Sequence, residues 1–422
     1  MKKRGKRGYL LAGLLSLSLL VTGCGGTGEA PAAKAPSSAA QETEASVPET
    51  ASAKSAAEEA ELQEGGTNAS LADAPALPGL TAESVLPLHY ATCYNVFTYR
   101  EGYQLIDIPK SGQYLVIPEG KTAPEGLDPS VICIPSAPKS IYLAAPSAMA
   151  LFDAIDSIDA VTMSGNSEGA WYIDAPLQAL EEGRMVYAGK YSEPDYETML
   201  SMNCDLAVES TMILHTPEVQ EMIEDLDIPV LIDRSAYERE ALGRTEWVKL
   251  YGALMGKTEE AEAFFREQEE LISGLSGLDS TGKTVAYFSV NTDGSVIVRT
   301  DTDYIPGMIE TAGGAYVFRG VYADVASSTT AVSMEEFYSR AHDADFLVYN
   351  ATIEEALGSA EDLVAKDAAF AEFRAVKEGN VWQVDKKAYQ STDRMANLIL
   401  DFHIMLTGGK TEDLTFLQKL DS

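Results

Sequence analysis

Few residues in this chain are placed to do covalent chemistry. Gly165-Asn166-Ser167-Glu168-Gly169 follows a predicted strand and matches Gly-x-Ser-x-Gly, the pattern of a nucleophile elbow, in which a sharp strand-to-helix turn presents a serine. Here Ala170-Trp171-Tyr172 leads toward Asp174-Ala175-Pro176 instead of straight into a helix, so a polar loop beside a cleft is a better reading than a serine hydrolase. The histidines are His89, His215, His342 and His403. They are too dispersed for a bare zinc or manganese site, which gathers several imidazoles and a carboxylate, and only His215 falls in a loop that could face a cleft. No metal site and no resident cofactor is expected. Cys93, Cys133 and Cys204 show no Cys-x-x-Cys spacing, so neither a zinc nor a redox motif is indicated. A Cys93–Cys133 bridge and buried free thiols both stay open, with thiols preferred.

What remains is a set of residues suited to binding, at the ends of predicted strands or in the loops that leave them. Ser164, Trp171, Tyr172, Met212, His215, Arg234 and Tyr237 lie in the first half, and Arg299, Tyr304, Asn350 and Tyr389 in the second. Aromatic faces pack on large flat ligands, and guanidinium groups pair bidentately with anionic ones. Met212 and His215 are residue types that can ligate a haem iron axially, and are also ordinary loop residues.

The elements that must hold these side chains are legible in the hydrophobic periods. Residues 94–99, 103–108, 114–117 and 131–134 read as strands of a strand-rich opening segment. Strands at 141–144, 161–164, 206–208 and 230–232 then alternate with helices at 147–155, 176–180, 196–202 and 218–226, the pattern of a parallel sheet covered on both faces. The pattern resumes later, with strands at 284–290, 296–299, 346–349 and 381–384, and helices at 304–311, 334–341, 361–377 and 392–406. Between the two series, Trp247, Leu250, Tyr251, Leu254 and Met255, then Ala261, Phe264, Phe265, Leu271 and Ile272, recur at helical spacing around an interruption at Gly256-Lys257. Thr258 is the expected N-cap of the second helix, with Glu259 and Glu260 in its first turn. A helix over 258–275 would be about 27 Å long, enough to reach from one lobe to the next. The architecture expected is α/β, two lobes with mainly parallel sheets covered by helices and joined by a single rigid linker helix. A continuous helix resists bending, so closure on ligand should be a few degrees of rocking.

The 422 residues carry a formal charge of −34, which argues against nucleic acid, since phosphate binding needs clustered Lys and Arg. Five basic residues between Lys2 and Arg7 precede an apolar run at 9–21 that suits a secretory signal. The run ends in Val21-Thr22-Gly23-Cys24, which resembles the bacterial lipobox and implies cleavage before Cys24 and lipidation of its thiol. Losing residues 1–23, with five basic and no acidic residues, would leave a charge of −39. Beyond it, residues 25–75 are mostly Ala, Ser, Glu, Thr, Pro and Gly, with too little apolar surface to offset the entropy of ordering. The expected order is a signal at 1–23, lipidated cysteine and disordered tether at 24–85, first lobe at 86–243, linker helices at 244–276 and second lobe at 277–422.

From about residue 86 onward the chain resembles the substrate-binding lipoproteins of ABC importers, in the class whose two α/β lobes share one long helix and which carries ferric siderophores, haem and cobalamin. Four stretches carry the resemblance. They are Gly189 through Glu197 with Cys204-Asp205-Leu206-Ala207-Val208, Glu246-Trp247 through Phe265, Gly313-Gly314 followed by Ser333-Met334-Glu335, and Asp343 through Val348. Cys204 stands where the family usually has Pro, and the strand-rich opening is additional. The resemblance implies a periplasmic-binding-protein-like fold and a monomer lipid-anchored on the outer face of the cell membrane. It implies a small iron complex or tetrapyrrole as ligand, and an ABC permease dimer with its ATPase as partner. One glutamate per lobe, Glu197 and Glu335, would meet permease arginines. Each also falls in a first helical turn, where a carboxylate favours the helix dipole, and Ser333 with Glu336 would form a capping box.

Overall fold

A computed structural model describes residues 69–421. The apolar run at 9–21, Cys24 and most of the tether lie outside them. The first lobe is built on a five-stranded, wholly parallel sheet, ordered Val230–Asp233, Leu206–Ser210, Ile141–Ala144, Val161–Ser164 and Val186–Tyr187. Every residue of Ile141–Ala144 and Val230–Asp233 is buried, as a sheet covered on both faces requires. Helices Pro146–Ala154 and Val248–Met255 pack on one face, while Met199, Val219 and Ile223 from helices Tyr196–Ser201 and Pro217–Glu224 pack on the other.

The opening segment is a second sheet welded to this lobe. Its strands run in order Ala82–Val85, Asn95–Tyr99, Gln104–Ile108, Gly112–Ile117 and Val131–Pro135, antiparallel except for the last pair. Alternation divides the side chains: Val96, Ile106, Tyr114 and Val116 enter the main core of the lobe, while Phe97, Tyr99, Leu105 and Leu115 build a smaller core with Leu77 and Tyr103. The last part of the stretch expected as tether, 24–85, therefore belongs to this lobe: Leu77 enters the smaller core, and Ala82 and Val85 pack against it.

Three helices make the linker region, Ala241–Glu246, Val248–Met255 and Thr258–Ser273. Gly256 closes the middle one at φ 67°, a left-handed conformation suited to glycine. Lys257, not Thr258, occupies the N-cap, and its side chain makes no cap bond. Thr258–Ser273 spans 16 residues, about 24 Å. Phe265 lies in the first-lobe core, Ile272 packs against the cores of both lobes, and Leu275 packs against that of the second.

Two buried carboxylates from this region grip the chain between the first two strands. Glu246 accepts from the backbone N–H groups of His89, Tyr90 and Ala91 at 2.8–3.0 Å and pairs with Lys249 at 2.7 Å. Glu238 accepts from Thr92 N–H, Cys93 N–H and Trp247 Nε1. Five consecutive backbone donors, from His89 to Cys93, are thus satisfied by two side chains.

In the second lobe the main strands are ordered Thr329–Val332, Val296–Arg299, Thr284–Val290, Phe346–Asn350, Val381–Val384 and Leu417–Lys419, with Ala315–Tyr316 also pairing on Thr284–Val290. Thr284–Val290, Phe346–Asn350 and Val381–Val384 run parallel, whereas the outer pairs are antiparallel. The expectation of mainly parallel sheets thus describes the first lobe, and the second is mixed. Asp205 and Asp345 do the same work in both lobes. Each precedes a strand and accepts N–H bonds at the start of the neighbouring parallel strand, Asp205 from Lys139 and Ser140, and Asp345 from Thr284.

Candidate ligand cleft

The lobes meet where the parallel strands end. Gln390, on a second-lobe loop and only 2% exposed, receives a hydrogen bond from Tyr172 N–H on its Oε1 and donates Nε2 to the carbonyl of Ala170, both at 2.8 Å. One side chain thus joins the 165–172 loop of the first lobe to the 385–392 loop of the second. Thr245 Oγ1 donates to the carbonyl of Thr392 at 2.7 Å, and Lys386 Nζ sits 5.6 Å from the ring centre of Tyr172.

The residues expected to line the cleft divide by exposure. Tyr172, Met212, His215 and Tyr389 are exposed. Met212 and His215 share the 3-10 turn Thr211–His215 at the carboxyl end of Leu206–Ser210. Ser164 and Trp171 are buried instead, and Ser164 Oγ accepts from Trp171 Nε1 and Asn166 N–H while donating to the Asn166 carbonyl. They hold the loop in shape and do not face outward. Asn350 is likewise committed, its Oδ1 accepting from the hydroxyls of Tyr287 and Thr352. Arg234 is buried over the ring of Tyr237 at 4.7 Å. Arg299 pairs with Asp303 at 3.3 Å and lies 5.7 Å from the Tyr287 ring, and half-buried Tyr304 carries the guanidinium of Arg244 on its face at 4.4 Å. Tyr304 also borders a concavity of about 890 Å³ beside the linker helix, with Tyr90, Leu242, Ile272 and His403.

Sequence reasoning missed Tyr187, Leu214 and Ile353, which are exposed near strand carboxyl ends. Their aromatic or aliphatic type next to a strand was the available signal. Gln390 and Arg244 carried none, since neither a glutamine after a tyrosine nor an arginine opening an amphipathic helix stands out. Ser167 leads into the single 3-10 turn Glu168–Ala170, not the helix an elbow needs.

Several carboxyls here are held toward the neutral form. Burial pushes Asp233 up, although Ser235 and Tyr251 donate to it. Burial also pushes Asp393 up to about 6, with Arg394 pulling the other way. Glu209, fully buried in the first-lobe sheet with both oxygens lacking a hydrogen-bond partner, is raised well above the usual range by desolvation. Cys93, Cys133 and Cys204 are free thiols, and burial pushes Cys93 up to about 12. Among the described residues no three His, Cys, Asp or Glu side chains gather where they could hold a metal ion.

Glu197 and Glu335 are exposed in the first turns of Tyr196–Ser201 and Met334–Ala341. The caps are made by others: Asp195 accepts from Thr198 N–H and Ser333 from Glu336 N–H. Glu336 does not complete the expected capping box, because its carboxylate takes the hydroxyl of Tyr322 at 2.7 Å and lies near Arg340.

The family model described as periplasmic binding protein matches residues 153–388, from the first-lobe helix Pro146–Ala154 to the turn beside Tyr389. The chain belongs to that family. As a periplasmic binding protein, it resembles by fold a periplasmic heme binding protein from Pseudomonas aeruginosa, with a TM-score of 0.52 at 16% identity over 68% of this chain and 99% of that one. A petrobactin-binding protein from Bacillus subtilis is similar at a TM-score of 0.50 and 16% identity, covering 65% of this chain and 93% of that one. In sequence it is 24% identical over 219 residues to an uncharacterized lipoprotein of Methanocaldococcus jannaschii, and it spans half the length of that curated relative.

Proposed function

We propose that this protein captures an iron complex of siderophore type between its lobes and delivers it to an ABC importer permease, working as a monomer lipid-anchored through Cys24 on the outer face of the cell membrane. The observation that carries this reading is the distribution of exposed large apolar side chains. Of the twelve among the described residues, Tyr172, Tyr187, Met212, Leu214, Ile353 and Tyr389 lie at strand carboxyl ends or on the loops and turns that leave them, in both lobes. Such side chains suit a ligand with a broad apolar or conjugated surface. The petrobactin-binding neighbour supports a ferric complex. Haem, carried by the Pseudomonas neighbour, is the second reading, favoured by Met212 and His215 exposed on one turn; cobalamin would use the same fold. The lipoprotein relative supports the anchor.

Titration of the purified chain with ferric siderophores, haem and cobalamin, followed by tryptophan emission, tests the reading. Trp171 sits beneath the loop that carries Tyr172, so binding should quench or shift its emission. Silence toward all three would end the proposal.

A further inference from the structure

The seam contains a buried cation that the protein leaves unanswered. Arg244, on the short helix Ala241–Glu246, is only 8% exposed. Among the described residues nothing forms a hydrogen bond or ion pair with its guanidinium, and its Nε is buried without a partner. Its contact is the face of Tyr304, 4.4 Å away. Neighbouring cations are treated differently, since Arg299 has Asp303 and Arg394 has Asp393. Asp233, which feels the charge of Arg244, is occupied by the hydroxyls of Ser235 and Tyr251.

A guanidinium taken out of water without a counter-charge is costly. Among the described residues no carboxylate bonds or pairs directly with this one, and Asp233 acts on it only through its charge. The helix is also fixed by the two residues that follow the arginine: Thr245 bonds the second lobe, and Glu246 holds the 89–91 backbone. The arginine is therefore presented from a rigid element, with Tyr304 covering one face of the guanidinium and its in-plane N–H fork left for something else.

We propose that Arg244 is an anion-reading residue of the cleft. It clamps a carboxylate, or another oxyanion of similar geometry, on the periphery of the bound complex while Tyr304 stacks behind it. This inference rests on the binding-protein reading above and narrows its ligand to complexes that carry a peripheral anionic group.

The test uses matched probes on the full chain and on Arg244→Gln and Arg244→Lys. Haemin is compared with its dimethyl ester, and ferric citrate with a neutral ferric trihydroxamate. The wild type should prefer the anionic member of whichever pair it binds by at least tenfold. Arg244→Gln should lose that preference while keeping its affinity for the uncharged member within twofold, and Arg244→Lys should retain part of it. Ligand-free Arg244→Gln should melt no lower than the wild type, because an uncompensated charge has been removed. Equal binding of both members by the wild type, a preference that survives in Arg244→Gln, or a lower melting point with the preference unchanged would overturn the proposal. If the wild type binds neither pair, the iron-complex reading falls, and citrate alone then decides the anion site. A citrate-induced rise in melting temperature that Arg244→Gln abolishes would sustain it, and no rise would overturn it.

Discussion

Asp393 sits on a second-lobe turn against the first-lobe helix that bears Asp153, with its side chain 13% exposed and its pKa pushed from an ordinary 3.8 up to about 6 by burial. Between those two values the folded protein holds a proton that the unfolded chain has released. Its contribution to stability is therefore full below about pH 4 and is lost as pH rises through about 6, a change of about 3 kcal/mol at most. Asp393→Asn should flatten that part of the profile, and denaturation curves at pH 4.5 and 7.5 that shift in parallel with the wild type would refute the assignment. At Glu246 the prediction is a loss of about 3–5 kcal/mol on substitution by Ala, because buried Lys249 loses its counter-charge and three backbone donors lose their acceptor. Chemical denaturation of the two single mutants and the double mutant should show the Glu246 and Lys249 losses to be strongly non-additive. Sequence made the exposure of some candidate residues legible and hid the burial of others for one reason. Tyr172, Met212, His215 and Tyr389 remain exposed, so their type and position after a strand suffice. Ser164, Trp171 and Asn350 spend their polar atoms on neighbours that only the folded chain supplies.

The linker is the element on which motion depends. Thr258–Ser273 is an unbroken helix with Phe265 in one core and Ile272 touching both, and Gly252 lets the helix before it approach so closely that an added Cβ would come within 2.5 Å of the Ala261 Cβ. Bending such a helix breaks packing along its length, so ligand should bring only a few degrees of rocking with local loop movement. X-ray scattering profiles with and without a bound ferric complex should nearly superimpose; a fall in radius of gyration typical of hinge closure would contradict this. The linker helices and the central strands were legible because they are long and strongly periodic. Ala82–Val85, Val186–Tyr187, Ala315–Tyr316, Thr329–Val332 and Leu417–Lys419 were not, since two to four residues at a sheet margin carry too little pattern. Strand direction has no local signature either, which is why the mixed second sheet could not be anticipated.

For the molecule as a whole, the expectation concerns orientation on a transporter. Glu197 and Glu335 are exposed, one on each lobe, and neither is needed by the cap beside it, so both are available to basic partners. Reversing both, Glu197→Arg with Glu335→Arg, should leave ligand affinity unchanged and abolish uptake; reduced thermal stability with uptake intact would leave them only a helical role. The grip of Glu238 and Glu246 on residues 89–93 ties the opening sheet to the rest of the molecule. The family match starts at residue 153, which makes the preceding sheet look like a detachable ornament. Yet both carboxylates sit in the shared part and depend on donors from the ornament. Removing residues 89–93 would strip both glutamates of the backbone donors they are folded around, so the opening sheet and the matched part of the chain are coupled in stability.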